Sequence, residues 1–281
     1  RRIIWGNLWQ MVRDNKLSPV FFLELIEHNL KLERENSVIQ NQLVDKAMKT
    51  ISSFLIKENQ RKWSDKFFSI CLKVLTEENN TEKKKIFFDL LVFSVDSEKT
   101  LFKIKQILDG IIILEGLQID QDKRWKIIQK ISAYNLFDCE NIIVKEKQRD
   151  PSDLGSKKAF QALTAIPDQQ LKEKYWEMFV HEQVNHSTDF LRYGIQGFLQ
   201  YNQSELLQPY TKKYFDHLIE IYTERDLFYS STFGKALFPS IFDNITILEK
   251  TKKFIIENKQ MPKLCKKELN ENCDYLERKI P

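Results

Sequence analysis

Residues 168–180, with the sequence DQQLKEKYWEMFV, carry the pattern that decides the fold. The apolar residues of this segment recur at intervals of three or four, so they share one face of an α-helix. They are Leu171, Tyr175, Met178 and Phe179. Charged residues fill the positions between them, as in a helix with one buried face and one solvated face. The segment is therefore predicted to be an amphipathic helix.

The same helical period recurs on both sides of this segment. About fourteen helices joined by short polar links are expected, which favours an all-α superhelical stack of antiparallel helix pairs of the HEAT or armadillo type. Ser18-Pro19 and Asp168 are typical helix starts. Pro209 is predicted to begin a helix, because an interior proline loses a hydrogen bond. The apolar run GIIILEG (110–116) fits either a buried strand or a buried loop.

Composition limits the classes of function that the chain can have. With 281 residues, 42% hydrophobic and 30% charged, it is typical of a globular protein, and we expect residues 1–281 to form one helical-repeat domain. Its seven glycines and seven prolines argue against an all-β fold or a glycine-built phosphate site. The net charge of +4 gives no reason to expect nucleic acid, and no apolar run has membrane-spanning length. Four scattered cysteines indicate reduced thiols and a cytoplasmic protein.

The stretch HEQVNH (181–186) is one residue longer than the H-E-x-x-H zinc motif. On a helix His181 and His186 would lie about 140° apart and diverge. A helix is moreover predicted to end here, with Ser187 or Thr188 capping the next one. A loop is therefore the favoured interpretation. A metal hydrolase using His181, His186 and Glu205 is retained as an alternative.

Six segments, in order along the chain, are similar to parts of one known domain. They are RRIIWGNLWQMVRDNKLSPVFFLELI (1–26), GLQIDQDKRWKIIQKI (116–131), RDPSDLGSKKAFQALTAIPDQQLKEKYWEMFV (149–180), SELLQPYTKKYFDHLIEIYTERD (204–226), GKALFP (234–239) and LCKKELNENCDYLERKI (264–280). Their order and spacing resemble the C-terminal helical, HEAT-like domain of the bacterial zinc aminopeptidase N family.

The resemblance implies that this chain is a noncatalytic domain. The family's catalytic domain carries H-E-x-x-H and G-x-M-E-N, and neither motif occurs in these 281 residues. The resemblance implies that both motifs lie upstream of this chain and that the zinc is bound by that upstream domain. It implies no catalytic or metal-binding residue within residues 1–281. The C-terminal domain would then close over its own catalytic domain and limit or orient peptide substrates, with neither nucleic acid nor membrane as a partner. The start at RRIIW, without Met, is consistent with a fragment of a longer protein.

Three arginines are candidates for binding a peptide's C-terminal carboxylate: Arg124, Arg192 and Arg225. A guanidinium pairs well with a carboxylate because its planar donors match the two oxygens. Each arginine equally fits an ordinary salt bridge. A free-standing helical-repeat module that binds protein or nucleic acid on one face remains the rival class of function.

Overall fold

A computed structural model describes residues 1–181, 185–242 and 244–280. The chain divides into two compact units, unit 1 (Arg1–Ile127) and unit 2 (Ile128–Ile280). Within the described ranges all regular structure is helical, which confirms the predicted all-α class. No helix in those ranges is both long enough and apolar enough to cross a lipid bilayer.

Unit 1 is built from α1 to α7 and the beginning of α8. The helices are α1 (Arg2–Arg13), α2 (Pro19–Leu30), α3 (Asn36–Val38), a π-helical segment (Ile39–Val44), α4 (Asp45–Phe54), α5 (Lys57–Glu77), α6 (Thr81–Phe93), α7 (Glu98–Leu108) and α8 (Gln121–Ser132). The π-helical segment joins α3 to α4 without a break. Three residues link α5 to α6, which pack together as an antiparallel pair.

The GIIILEG stretch in unit 1 is a loop rather than a strand. Leu114 is buried, whereas Ile111 and Ile113 are largely exposed. The buried Lys84 ammonium of α6 donates a hydrogen bond to the carbonyl of Glu115 and so anchors the loop. The sequence alone left this choice open because apolar content does not reveal which side chains face the core.

Unit 2 contains the end of α8 and all the later helices. They are α9 (Cys139–Arg149), α10 (Asp153–Ala165), α11 (Gln169–His181), α12 (Thr188–Phe198), a 3₁₀ turn (Tyr201–Gln203), α13 (Ser204–Glu224), α14 (Leu227–Ala236), α15 (Asn244–Glu257) and α16 (Lys263–Glu277). With α3 and α4 counted as one run, the described ranges hold fifteen α-helices, close to the fourteen expected. Helix α11 has one exposed side, which carries Glu173. On its opposite side Trp176 packs in an aromatic core with Phe198 and Phe233.

The predicted helix starts are confirmed by their capping bonds. Ser18 Oγ accepts the Phe21 N–H at 3.5 Å, and Pro19 is the first residue of α2. Asp168 Oδ1 accepts the Leu171 N–H at 2.8 Å. At α12 the cap is Ser187, the first of the two residues proposed for that position. Each cap satisfies a backbone donor that the first helical turn leaves without a partner.

The prediction for Pro209 was wrong. Helix α13 begins five residues earlier, at Ser204, and continues through the proline to Glu224. The missing N–H of Pro209 would have bonded the carbonyl of Glu205. Both residues are exposed, so water can solvate that carbonyl and the ring points away from the core. Glu205 itself lies in the first turn of α13, where an acid is favourable.

Candidate functional site

The three arginines singled out by the sequence lie in two different units. Arg124 belongs to α8 within unit 1, and its Nη1 donates to the carbonyl of Leu108 at 2.9 Å. Leu108 is the last residue of α7, whose final carbonyls lack partners inside the helix. Arg124 thus supplies a hydrogen-bond donor to the C-terminal end of α7, which is a structural role.

Arg192 and Arg225 both reach the beginning of α14 in unit 2. Arg192 extends from α12, and its Nε donates to Thr232 Oγ1 at 2.8 Å. Its guanidinium carbon lies 5.9 Å from the ring centre of Phe228. Arg225 directly follows α13, with its guanidinium carbon 4.0 Å from the ring centre of Tyr229. The structure therefore brings these two candidates to the same two helical turns.

Asp226 fixes the geometry of this helix start. Its Oδ1 accepts the N–H groups of Phe228 and Tyr229, each at 3.0 Å. Its Oδ2 accepts the hydroxyl of Thr188 at 3.2 Å, which ties the first turn of α12 to α14. Phe228 is left 74% exposed beside this network, so an exposed apolar ring lies next to the Arg192 guanidinium.

Charged groups of both signs lie at this site. Arg192 faces Asp189 at 3.8 Å, beyond hydrogen-bonding distance. Nη1 of Arg225 is buried and has no hydrogen-bond partner. Burial raises the pKa of the Tyr229 phenol, an effect that the neighbouring Arg225 partly opposes. The site thus combines the guanidinium groups of Arg192 and Arg225 with the carboxylates of Asp189 and Asp226.

The alternative metal site is not assembled from the three predicted residues. The imidazole of His181, the last residue of α11, packs on that of His217. The His186 ring stacks on Phe190 instead, 5.2 Å between ring centres. Glu205 belongs to the start of α13. Residues 182–184 of HEQVNH lie outside the described residues. Among the described side chains no group of three or more His, Cys, Asp or Glu stands ready for a metal ion.

The thiols offer no activated nucleophile. All four cysteines are free and buried, which confirms the prediction of reduced thiols. Burial raises the pKa of Cys265 to about 12 and that of Cys71 well above its usual value. Since the thiolate is the reactive form, these side chains act as small apolar core residues.

Unit 1 contains an open groove of about 540 Å³ between α5 and α7. Lys73 and Lys103 lie along it, and Phe68 and Leu72 contribute to its apolar lining. Ser97 Oγ donates to Asp65 Oδ1 at 3.3 Å and belongs to the capping box of α7. Ser97 and Thr100 in the groove therefore serve the start of α7.

These observations define a helical domain whose described polar side chains mainly hold helices together. Comparison with protein families matches residues 1–278 to the ERAP1-like C-terminal domain, and the chain belongs to that family. Aminopeptidase N of Streptomyces lividans is 24% identical to it over 259 residues, which cover 89% of this chain and 29% of that protein. The chain thus spans less than a third of the relative that it matches, and the resemblance read from the sequence is confirmed.

Proposed function

We propose that this chain is the noncatalytic C-terminal domain of a zinc aminopeptidase and governs the access of peptides to an active site elsewhere in the polypeptide. The match of residues 1–278 to an aminopeptidase C-terminal domain family carries the proposal. The partial coverage of aminopeptidase N supports it, because the other 71% of that relative has room for a peptidase domain. Residues 1–281 would act as a single functional domain.

In this account the upstream domain supplies the zinc. The metal would activate water for attack on the first peptide bond. The C-terminal domain would supply walls, positive potential and gating, so peptide substrates and its own catalytic domain are its partners. A cytoplasmic location, without nucleic acid or membrane as partners, is part of the proposal. The free buried cysteines support a reducing compartment.

Arg225 and Arg192 are proposed to bind the C-terminal carboxylate of a long peptide. Nη1 of Arg225 lacks a hydrogen-bond partner and is closed to solvent, so in this proposal the side chain turns outward and a carboxylate satisfies the donor. Arg192 lies at the same helix start and adds a second positive charge. Arg124 remains a third candidate, although its donation to Leu108 occupies part of its guanidinium.

Arg225→Ala in the complete polypeptide is expected to raise KM about tenfold for long peptides, the usual loss for one hydrogen bond to a charged group. A dipeptide substrate should show unchanged kinetics because it cannot reach the arginine. The measurement is kcat and KM over a series of peptides of increasing length. Arg278→Ala, which removes an arginine paired with Asp274 on α16, is the matched control.

Two other results of this experiment would contradict a carboxylate-binding role for the arginines. Equal kinetics for wild type and for the Arg225, Arg192 and Arg124 variants on every peptide would remove the carboxylate site. Loss of activity on dipeptides in the same variants would instead indicate a general structural defect.

A further inference from the structure

The open groove between α5 and α7 in unit 1 carries lysines that take little part in holding the fold together. Lys99 and Lys103 belong to the α7 side of the groove, and Lys73 belongs to the α5 side. Within the described part of the chain, no carboxylate pairs with Lys99 or Lys103. Lys73 lies 3.9 Å from Glu77 with its side chain 71% exposed, which makes a weak pair. Three positive charges are therefore available to a ligand.

The floor of the groove is apolar. Leu72 is half-buried there, and Phe68, one helical turn earlier on the same face of α5, is only 4% exposed. An aliphatic side chain of a ligand can cover Leu72. The buried ring of Phe68 offers no open face on which a nucleotide base could stack. The groove therefore suits an aliphatic group that lies between negative charges.

The hydroxyl groups of α5 in the groove act as acceptors toward a ligand. Ser69 Oγ donates to the carbonyl of Asp65 at 2.9 Å, and Thr76 Oγ1 donates to the carbonyl of Lys73 at 2.9 Å. Because each hydroxyl has one proton and two lone pairs, these oxygens can still accept N–H groups. A peptide backbone supplies such N–H groups, whereas a phosphodiester backbone has none. The arrangement therefore favours a peptide with carboxylate side chains.

The positive charge continues along α5 beyond Asp65. A second open depression shares Asp65 and is also lined by Lys57, Glu58, Arg61 and Lys62. Together the two linings hold six of the 44 basic residues of the chain and two of its 40 acidic residues. The other residues thus carry equal numbers of positive and negative charges. This surface of unit 1 accounts for the whole net charge of +4.

We propose that the α5–α7 groove binds an acidic peptide segment in an extended conformation. One carboxylate of the segment lies at Lys99 and Lys103, and a second lies at Lys73. An aliphatic side chain between them covers Leu72. Complementary charge attracts the segment, and the apolar floor fixes its position.

The length of the groove sets the size of the bound segment. Its lining on α5 runs from Asp65 to Thr76, a rise of about 16 Å. An extended segment of about five residues spans that distance. The groove shares no lining residue with the three carboxylate candidates Arg124, Arg192 and Arg225. Binding here therefore does not depend on the peptidase proposal.

The test is a fluorescence anisotropy titration of the 281-residue chain against a labelled peptide of glutamates around one central leucine. Saturable binding of one peptide per chain is expected, and added salt should weaken it because exposed charges are screened. A peptide with lysines in place of the glutamates should not bind. Serine in place of the leucine should weaken binding about fivefold, the loss expected for one partly buried aliphatic side chain.

The double variant Lys99→Glu/Lys103→Glu is expected to weaken binding by at least about tenfold, because repulsion replaces attraction at both positions. The matched control is Lys259→Glu/Lys263→Glu, which makes the same change of charge at two exposed positions of unit 2. It should leave the affinity within about twofold of wild type. Leu72→Ser should remove the preference for the leucine peptide over the serine peptide. Circular dichroism verifies the fold of every variant.

Three results would overturn the proposal. The first is an absence of saturable binding up to about 1 mM peptide. The second is an equal loss of affinity in the two lysine-pair variants, which would mean attraction to net charge alone. The third is a thymidine oligonucleotide that binds as tightly as the peptide and depends on Lys99 and Lys103, which would assign the groove to nucleic acid. All three concern the isolated chain, so they leave the peptidase proposal to its own experiments.

Discussion

Gly197→Ala is expected to destabilise the protein by about 2 kcal/mol or more, the scale of overpacking a close-packed core. A methyl group on Gly197 would lie 2.1 Å from the carbonyl oxygen of Gln161 and 2.4 Å from Thr164 Oγ1. The first of these atoms belongs to the backbone of α10 and cannot rotate away. The helices α10 and α12 would therefore have to separate.

A hydrogen bond confirms how closely these two helices approach. Thr164 Oγ1 on α10 donates to the carbonyl of Gly194 on α12 at 2.8 Å. Gly194 has no room for a side chain either, because a methyl group there would lie 2.2 Å from the Phe160 ring. The two glycines, three residues apart, thus form the surface of α12 that α10 packs against.

Gly6→Ala provides the matched control in α1. No atom lies within 4 Å of the position that its methyl group would take, and alanine favours a helix by about 1 kcal/mol over glycine. Urea unfolding followed by circular dichroism should show a lower midpoint for Gly197→Ala and an unchanged or higher one for Gly6→Ala. Equal midpoints for Gly197→Ala and wild type would contradict the close approach of α10 and α12.

Lys172→Met is expected to remove a large pH dependence of the free energy of unfolding. Lys172 is fully buried in unit 2, and its Nζ donates to the carbonyls of Thr164 at 2.7 Å and Phe198 at 2.6 Å. These residues lie at the C-terminal ends of α10 and α12. Burial lowers the pKa of this amine to about 7.

The direction of this pH dependence follows from the number of protons that the folded and unfolded states bind. Below pH 7 both states hold the proton, and the folded chain bears the full destabilisation of a buried charge. Between pH 7 and the ordinary lysine value near 10.4, the unfolded chain binds more protons, so stability rises with pH. From pH 7 to pH 9.5 this residue should contribute a gain of about 3 kcal/mol.

The measurement is the difference in unfolding free energy between wild type and Lys172→Met at several pH values. Taking the difference removes the common contributions of the buried tyrosines and cysteines. Lys174→Met, which removes an exposed lysine from the same helix, controls for the loss of one positive charge. A difference that stays constant from pH 7 to pH 9.5 would show that Lys172 keeps its proton or reaches solvent.

Local chemistry made much of the fold predictable. The apolar period located α11, and the hydroxyl of Ser187 located the start of α12 beyond the HEQVNH stretch. These features depend on residues close together in sequence, which is where periodicity and capping act. The family followed from the order of several such segments, and the match to residues 1–278 confirms it.

Features that depend on packing between distant residues were not predictable. Lys172 lies on the buried stripe of α11 with Trp176 and Phe179, yet its charge indicates a solvated position. Its burial depends on two helix ends that only the fold brings together. Likewise, the sequence pairs His181 with His186, whereas the packing of α11 on α13 pairs it with His217.

We propose that this chain regulates a peptidase whose catalytic residues lie outside residues 1–281. The most direct measurement compares aminopeptidase activity of the isolated 281-residue chain with that of the complete polypeptide, each before and after zinc chelation. Activity in the complete polypeptide alone, abolished by chelation and restored by Zn²⁺, is the predicted result. Hydrolysis by the isolated chain, or a complete polypeptide without aminopeptidase activity, would contradict it.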